Sequence, residues 1–405
     1  MHTTSLLTRS ARRLQRAGWG LRKRRERLTA WLDYHYPGWR GKRQQAEPER
    51  GSRDLSGRFC SHPFEQIDLE ESGACFTCCS AWLPTPMGNI RNLDVMAMWN
   101  GPTMQRIRES IYDGSFRYCR HDRCPVIQND TLPTLAEAEQ DPVLGEAVRA
   151  RRLTLEDPPS FVNMVNDRSC NLYCPSCRTE RINHNEGARY EKLAELQQRL
   201  LTAYLAAPND RDFTLSITGS GDPFASRVYR ELLYTLDGSR FPSMKIALQT
   251  NGVLLTPRNW ARMEKIHANI SSIIISFDAA SPETYAVTRR GGHWATLLEN
   301  CARMGELRAL GEVRHLRYDF VVQKANFREM PDFVRLARSL GGDRAYFSRL
   351  VDWGTWPRDQ FLEQCVWEQG HPLRDEFLAV LRDPALDDAF VDLGNVSDFY
   401  AEARR

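Results

Sequence analysis

The chain has 405 residues, more than one average domain holds, and its 41% hydrophobic content with ten tryptophans is enough for sizeable cores. Its net charge of +3 is unevenly spread: residues 1–43 carry twelve Lys or Arg against Glu26 and Asp33, which is +10, and the remainder is −7. That acidic remainder argues against nucleic-acid binding, and no apolar run is long enough for a signal peptide or a bilayer span, so the eleven cysteines read as thiol ligands in a reducing cytoplasm.

Residues 6–36 have a helical pattern, with Leu7, Leu14, Leu21 and Leu28 recurring every seven and Arg12, Arg13, Arg16 and Arg22 to Arg25 between them. A basic amphipathic helix of this kind can lie on an anionic membrane surface or dock on an acidic partner; it can equally be a solvated extension. The polar stretch Gly41 to Gly57 reads as a linker, which makes 1–57 an extension outside the folded domains.

From 58 to 130 comes a cysteine-rich module with Cys60, Cys75, Cys78, Cys79, Cys119 and Cys124. Ser72-Gly73 is a turn signal between strand-like stretches around Ile67 and Phe76, and helical pieces follow through Met98-Trp99 and from Met104 to Ile111. Two early and two late cysteines suit zinc and an iron–sulfur cluster equally from spacing alone. Residues 131–157 read as a connector.

Beyond it the pattern alternates. Strands are expected at Phe161–Asn166, Phe213–Thr218, Met244–Thr250, Ser272–Phe277, Arg317–Val322 and Arg344–Leu350, with helices near Tyr190–Ala206, Arg227–Leu236, Arg258–Ile266, Trp294–Arg308 and Pro331–Leu340. Apolar runs of five or six between amphipathic helices predict a parallel sheet with helices outside. Active sites of such folds lie at the C-terminal strand ends.

At the first of those ends stands Cys170-Asn171-Leu172-Tyr173-Cys174-Pro175-Ser176-Cys177. A compact loop giving three thiolates leaves one iron of a 4Fe–4S cluster open to a ligand; three free thiols or an incomplete zinc knuckle is the plainer alternative. This C-x3-C-x2-C loop after the first strand of an α/β unit resembles the radical S-adenosylmethionine (SAM) superfamily. Ser176 stands where family members usually carry an aromatic residue. The resemblance implies a partial (β/α)6 TIM-like barrel over 158–352, an α/β fold, with 353–405 as a C-terminal extension. It implies Cys170, Cys174 and Cys177 as ligands of a 4Fe–4S cluster whose open iron takes SAM.

Other strand ends fit the same resemblance. Thr218-Gly219-Ser220-Gly221-Asp222-Pro223 resembles the superfamily's Gly-Gly-Glu motif, which implies Ser220, Gly221 and Asp222 at the amino group of SAM. Ser276 and Asp278 resemble the ribose- and carboxylate-facing positions, Arg290 a carboxylate clamp, and Asn326 a common SAM-facing asparagine. A helix-capping role is the plain alternative for Asp278.

The cysteine-rich module resembles SPASM/twitch auxiliary-cluster domains through Cys60-x-x-Pro63, the Gly73 turn to Cys78-Cys79, Gly88-Asn89-Ile90, Met98-Trp99-Asn100, Arg108, Cys119 and Cys124. That implies a small N-terminal cysteine-rich α+β module in which Cys60, Cys78, Cys119 and Cys124 bind a second, auxiliary 4Fe–4S cluster, with Cys75 or Cys79 as alternates. In most relatives such a module follows the barrel; here it precedes it.

Cys301 falls on an apolar helix stripe and reads as core. Cys365 lies past the barrel, where a thiol could return a hydrogen atom to a substrate radical. The expected activity is hydrogen abstraction giving net oxidation or epimerisation of a sugar- or aminocyclitol-like molecule or a peptide, with an external flavodoxin- or ferredoxin-like reductant. A peptide-modifying maturase and a zinc-stabilised scaffold are the alternatives.

Overall fold

The computed structural model describes residues 53–121 and 123–405, so the basic helix expected over 6–36 lies outside the described residues. The described chain forms two interleaved units. One takes residues up to Phe64, Phe76–Gly88 and Met96–Glu156; the other takes Glu65–Cys75, Asn89–Val95 and Asp157–Arg405.

The second unit is built on a sheet. Its strands are β1 (Gln66–Glu70), β2 (Ala74–Phe76), β3 (Gly88–Asn89), β4 (Phe161–Val165), β5 (Phe213–Ile217), β6 (Met244–Thr250), β7 (Ile270–Ser276), β8 (Leu316–Val322), β9 (Arg344–Arg349) and β10 (Val391–Asp392). They lie in the order β10-β9-β8-β7-β6-β5-β4-β1-β2-β3, and the ladder from β4 through β9 is parallel throughout. All six strands expected from the sequence are present, within two residues at each end.

The helices between them are α1 (Gly187–Leu205), α2 (Arg227–Thr235), α3 (Pro257–Ala261), α4 (Pro282–Thr288), α5 (Trp294–Ala309) and α6 (Met330–Ser339). Three of them start as the sequence dictates. Ser226, Thr256 and Ser281 each accept a backbone N–H three residues on, and Pro257 and Pro282 take the first helical position, where a missing N–H costs nothing.

The two faces of the sheet differ in chemistry. Phe213 packs on Tyr204 of α1 with ring centroids 5.1 Å apart, while Phe277, Phe320 and Phe347 gather round Phe333 of α6 at 5.8, 4.9 and 5.7 Å. Those positions, with Val162, Met164, Leu215, Ile273 and Ile275, are fully buried and form the helix-covered core. The alternating positions are Asn163, Ser216, Ala247, Ser272, Ser276 and Asp319, and they face the inside of the barrel.

β1 is the departure from expectation. The stretch around Ile67 belongs to the cysteine-rich region in sequence, yet it pairs parallel with β4 from Gln66↔Phe161 to Glu70↔Val165. Cys75, on β2, is fully buried beside it; burial pushes its thiol up to about 12.

The first unit has its own core of Leu55, Phe59, Phe64, Ile111, Phe116 and Ile127. Its 11-residue helix Pro102–Tyr112 buries Met104, Ile107 and Ile111, and with them Arg108. The Arg108 guanidinium lies 4.3 Å over Trp99 and donates to the carbonyls of Pro63 at 2.9 Å and Leu153 at 2.7 Å. It thereby pins the Cys60–Pro63 turn.

Candidate functional site

The three-cysteine loop follows β4 directly. Its base is held by Asp167, whose carboxylate accepts from the backbone N–H and hydroxyl of Ser169, both at 2.9 Å, and from Ser226 Oγ at 2.6 Å. The N–H groups of Cys177 and Arg178 both donate to the Cys174 carbonyl, at 3.0 and 2.9 Å, a tight turn that draws Cys174 and Cys177 together. Cys170 and Cys174 are buried around Leu172, with Cys177 packed against them.

Each thiol has its own N–H neighbour. Asn251 Nδ2 lies 3.7 Å from Cys170 Sγ, Arg289 Nη1 3.9 Å from Cys174 Sγ, and Arg178 Nη2 3.2 Å from Cys177 Sγ. Burial pushes the Cys170 thiol up to about 12, with the Asp222 carboxylate adding to it. Burial raises Cys174 too, while Arg289 pulls it back down. Thiols of this kind become ligands as they lose their protons to a metal, and donors aimed at sulfur then stabilise the thiolates. The donor set therefore fits a cysteine-ligated cluster.

The strand rims place the other expected residues as follows. Ser220 Oγ donates to the carbonyls of Val165 (3.0 Å) and Asp167 (3.1 Å), and its own carbonyl accepts from Arg178 (2.7 Å). A Cβ on Gly221 would stand 2.6 Å from the carbonyl oxygens of both Asp167 and Ser169, so only glycine fits between that motif and the cysteine loop. The Asp222 carboxylate is fully buried and fully used, accepting from Thr250 Oγ1 (2.7 Å) and the N–H groups of Asn251 (2.9 Å), Phe224 (3.0 Å) and Ala225 (3.2 Å). It braces β5 against β6. Asn326 is likewise consumed, accepting from Gln323 N–H and donating to the carbonyls of Asp278 and Val321. Ser276 ends β7, half-buried, opposite Asp319.

Asp278 sits at φ +58 just past β7. It caps no helix; Ser281 does that for α4. One carboxylate oxygen accepts from Val321 N–H at 2.7 Å, and the other pairs with Arg289 at 2.9 Å. Arg290, the expected clamp, is exposed, and it is Arg289 that points inward. The reason is helical phase: Arg289 follows the buried Tyr285 by four residues and shares its face.

Cys365 is 1% exposed, donates to the Phe361 carbonyl one turn back at 3.3 Å, and has Glu368, Arg358, Asp352 and Arg349 as its charged neighbours. Burial pushes its thiol up to about 12. Cys301 is fully buried in α5, as its apolar stripe implies.

In the first unit Cys60, Cys78, Cys119 and Cys124 line a single small cavity with His62, Pro63, Trp82, Leu83 and Phe116. Cys79 is absent from its lining and turns the chain instead, its carbonyl accepting from Trp82 and Leu83 N–H. Burial raises the Cys119 thiol, and Cys60 and Cys124 next to it add to the rise. His62 Nδ1 lies 3.3 Å from Cys60 Sγ. Among the described residues no three His, Cys, Asp or Glu side chains close on one point as the shell of a single metal ion does; in a cubane cluster the cysteines meet separate irons. The residues that sequence alone missed are Arg178, Asn251, Arg289 and His62. Only Arg178, adjacent to Cys177, and His62, two from Cys60, carry a local signal.

The sequence model of the radical SAM superfamily matches residues 168–313, and that of SPASM, an iron–sulfur cluster-binding domain, matches residues 60–125. No curated protein matches the chain. Among solved structures, Streptococcus suis SuiB bound to precursor peptide SuiA aligns with a TM-score of 0.37 and 13% identity over 73% of this chain and 64% of its own. TYW1 with a lysine-pyruvate adduct aligns with 0.33 and 16% over 54% and 70%. Native anSMEcpe with bound AdoMet and the Kp18Cys peptide aligns with 0.35 and 16% over 55% and 58%. No described helix is long and apolar enough to cross a membrane.

Proposed function

For a chain that belongs to the radical SAM superfamily and carries a SPASM iron–sulfur domain ahead of its barrel, we propose hydrogen-atom abstraction from a substrate C–H bond, leading to net oxidation or epimerisation. The observation that carries this reading is that each thiol of one strand-end loop has a separate N–H neighbour, Asn251, Arg289 or Arg178. Cys170, Cys174 and Cys177 would hold a 4Fe–4S cluster, which together with bound SAM and one electron would supply the 5′-deoxyadenosyl radical.

The chain's own residues set up that chemistry. Arg178 and Arg289 offset the charge of the thiolates, and Asp278 fixes Arg289 in place. Asp222 and Asn326 hold the rims of β5 and β8 rigid. Gly221 lets the motif lie close against the cysteine loop, where Ser220 and Gly221 border the place of the ligand's amino group. Ser276 stands on the inner rim at the ribose position. Cys60, Cys78, Cys119 and Cys124 would hold the second cluster, in a cavity with largely apolar walls. The substrate is a polar small molecule or a peptide, and the electron comes from a flavodoxin- or ferredoxin-like carrier.

Anaerobically purified protein is expected to be brown, with roughly eight irons for two cubanes. With SAM and dithionite it should release 5′-deoxyadenosine, and Cys174→Ala should abolish that release. Colourless protein holding one or two zincs would leave only a metal-stapled scaffold.

A further inference from the structure

The inner face of the sheet carries a second functional feature. Across it runs one row of residues: Asp68 on β1, Asn163 on β4, Ser216 on β5, Ala247 on β6 and Ser272 on β7. Closed barrels fill such layers with bulky branched side chains. Here the row is small or polar, and Asn163, Ser216, Ala247 and Ser272 all keep part of their surface open to solvent.

At the end of the row Asp68 is only 5% exposed. Its carboxylate accepts from Gln66 Nε2 at 2.7 Å and is hydrogen-bonded by the Asn163 side chain. Both partners are neutral amides. Among the described residues no Lys, Arg or His pairs with Asp68, and Glu70 on the same strand repels it. Burial pushes its carboxyl up to about 6, so it is still ionised at neutral pH. Two amides satisfy its hydrogen bonds but leave the charge uncompensated, and an uncompensated buried charge is costly to keep. A cationic group arriving beside it would supply the missing countercharge.

Resting on the enzymatic reading above, we propose that Asp68 anchors the ammonium group of the substrate, a hydroxylated primary amine whose hydroxyls lie over Asn163, Ser216 and Ser272. β1 is thus a substrate-recognising strand added beside the six of the barrel.

The test uses the reconstituted full chain, with glucosamine, glucose and N-acetylglucosamine as probes in saturation-transfer NMR. Wild type should prefer glucosamine by about tenfold, the worth of one charge-assisted hydrogen bond, and Asp68→Asn should lose that preference. A second readout needs no ligand. A carboxyl whose folded pKa lies above its unfolded 3.8 costs stability only where it is ionised. Asp68→Asn should therefore melt higher than wild type above about pH 6, the two curves converging as pH falls toward 4.

Absence of any amine preference in wild type, or its survival in Asp68→Asn, overturns the proposal. So does a variant that melts lower at every pH, which marks Asp68 as a structural brace. Preference for the tripeptide Gly-Lys-Gly over glucosamine overturns the hydroxylated-amine assignment. Any of these failures leaves 5′-deoxyadenosine release by wild type intact, whereas failure of the enzymatic reading shows as no release at all.

Discussion

Around the loop after β4 each thiol has a polar or charged neighbour, and Asp222, Asp278 and Arg289 crowd within reach of it. Around the four thiols of the first unit the walls are Pro63, Trp82, Leu83, Phe116 and Ile127, with His62 beside the cysteines among the described residues. A centre that must admit a zwitterionic ligand needs fixed charges at its rim and a coordination position left free. A centre closed on four thiolates needs neither and gains from excluding water, because exposure and hydrogen bonds to sulfur both move a cluster's potential. Under the proposed function, the cysteine set after β4 would be the working site and that of the first unit an electron-holding site.

That contrast is easiest to break with cysteine replacements. Cys174→Ala should drop iron to roughly four per chain and remove 5′-deoxyadenosine entirely, while Cys119→Ala should show the same iron loss yet keep SAM cleavage. If Cys119→Ala also stops cleavage, the two centres do not divide the work in this way; iron assay and product chromatography decide it.

A smaller effect sharpens the charged side of the comparison. Arg289→Met strands the buried Asp278 carboxylate and should cost about 3–5 kcal/mol in denaturant unfolding, with slower SAM cleavage, whereas Arg290→Met should stay within about 0.5 kcal/mol as an exposed substitution. Equal losses from both would return the clamp to Arg290.

Cys365→Ala comes next. Loss of a buried thiol that packs within its own helix turn should cost about 1 kcal/mol and leave turnover unchanged, and a stalled product-radical signal in electron paramagnetic resonance would instead make Cys365 a hydrogen donor. The least effect on iron is expected from Cys79→Ala, which should leave the iron content unchanged because Cys79 is absent from the cavity lining. Iron loss there would put Cys79 among the ligands.

Much of this was legible in the sequence. The six barrel strands announce themselves as apolar runs between amphipathic helices, and the three-cysteine loop marks their C-terminal end without further help. The resemblance to SPASM/twitch modules singles out four of the six cysteines of the first module, and those four line one cavity. What stayed hidden depends on long-range pairing or helix phase. Nothing local in Gln66–Glu70 says that it pairs with Phe161–Val165, because a parallel partner is set by the fold and not by a turn. Arg289 and Arg290 are chemically identical neighbours, and only the position of Tyr285 decides which turns inward. Asp222 and Asn326 sit where the motifs put them, but their side chains are spent on backbone and hydroxyl donors that no spacing rule reveals.

Strand β1 has a consequence for how the molecule can be taken apart. Because residues 65–75 and 89–95 lie in one unit while the segments around them lie in the other, the chain passes between the units repeatedly and no single cut frees a domain. A fragment starting at residue 158 would lose the neighbour of β4 and bare an unpaired strand edge, an invitation to aggregate. Neither unit can therefore be cut out as one stretch of chain without taking part of the other with it.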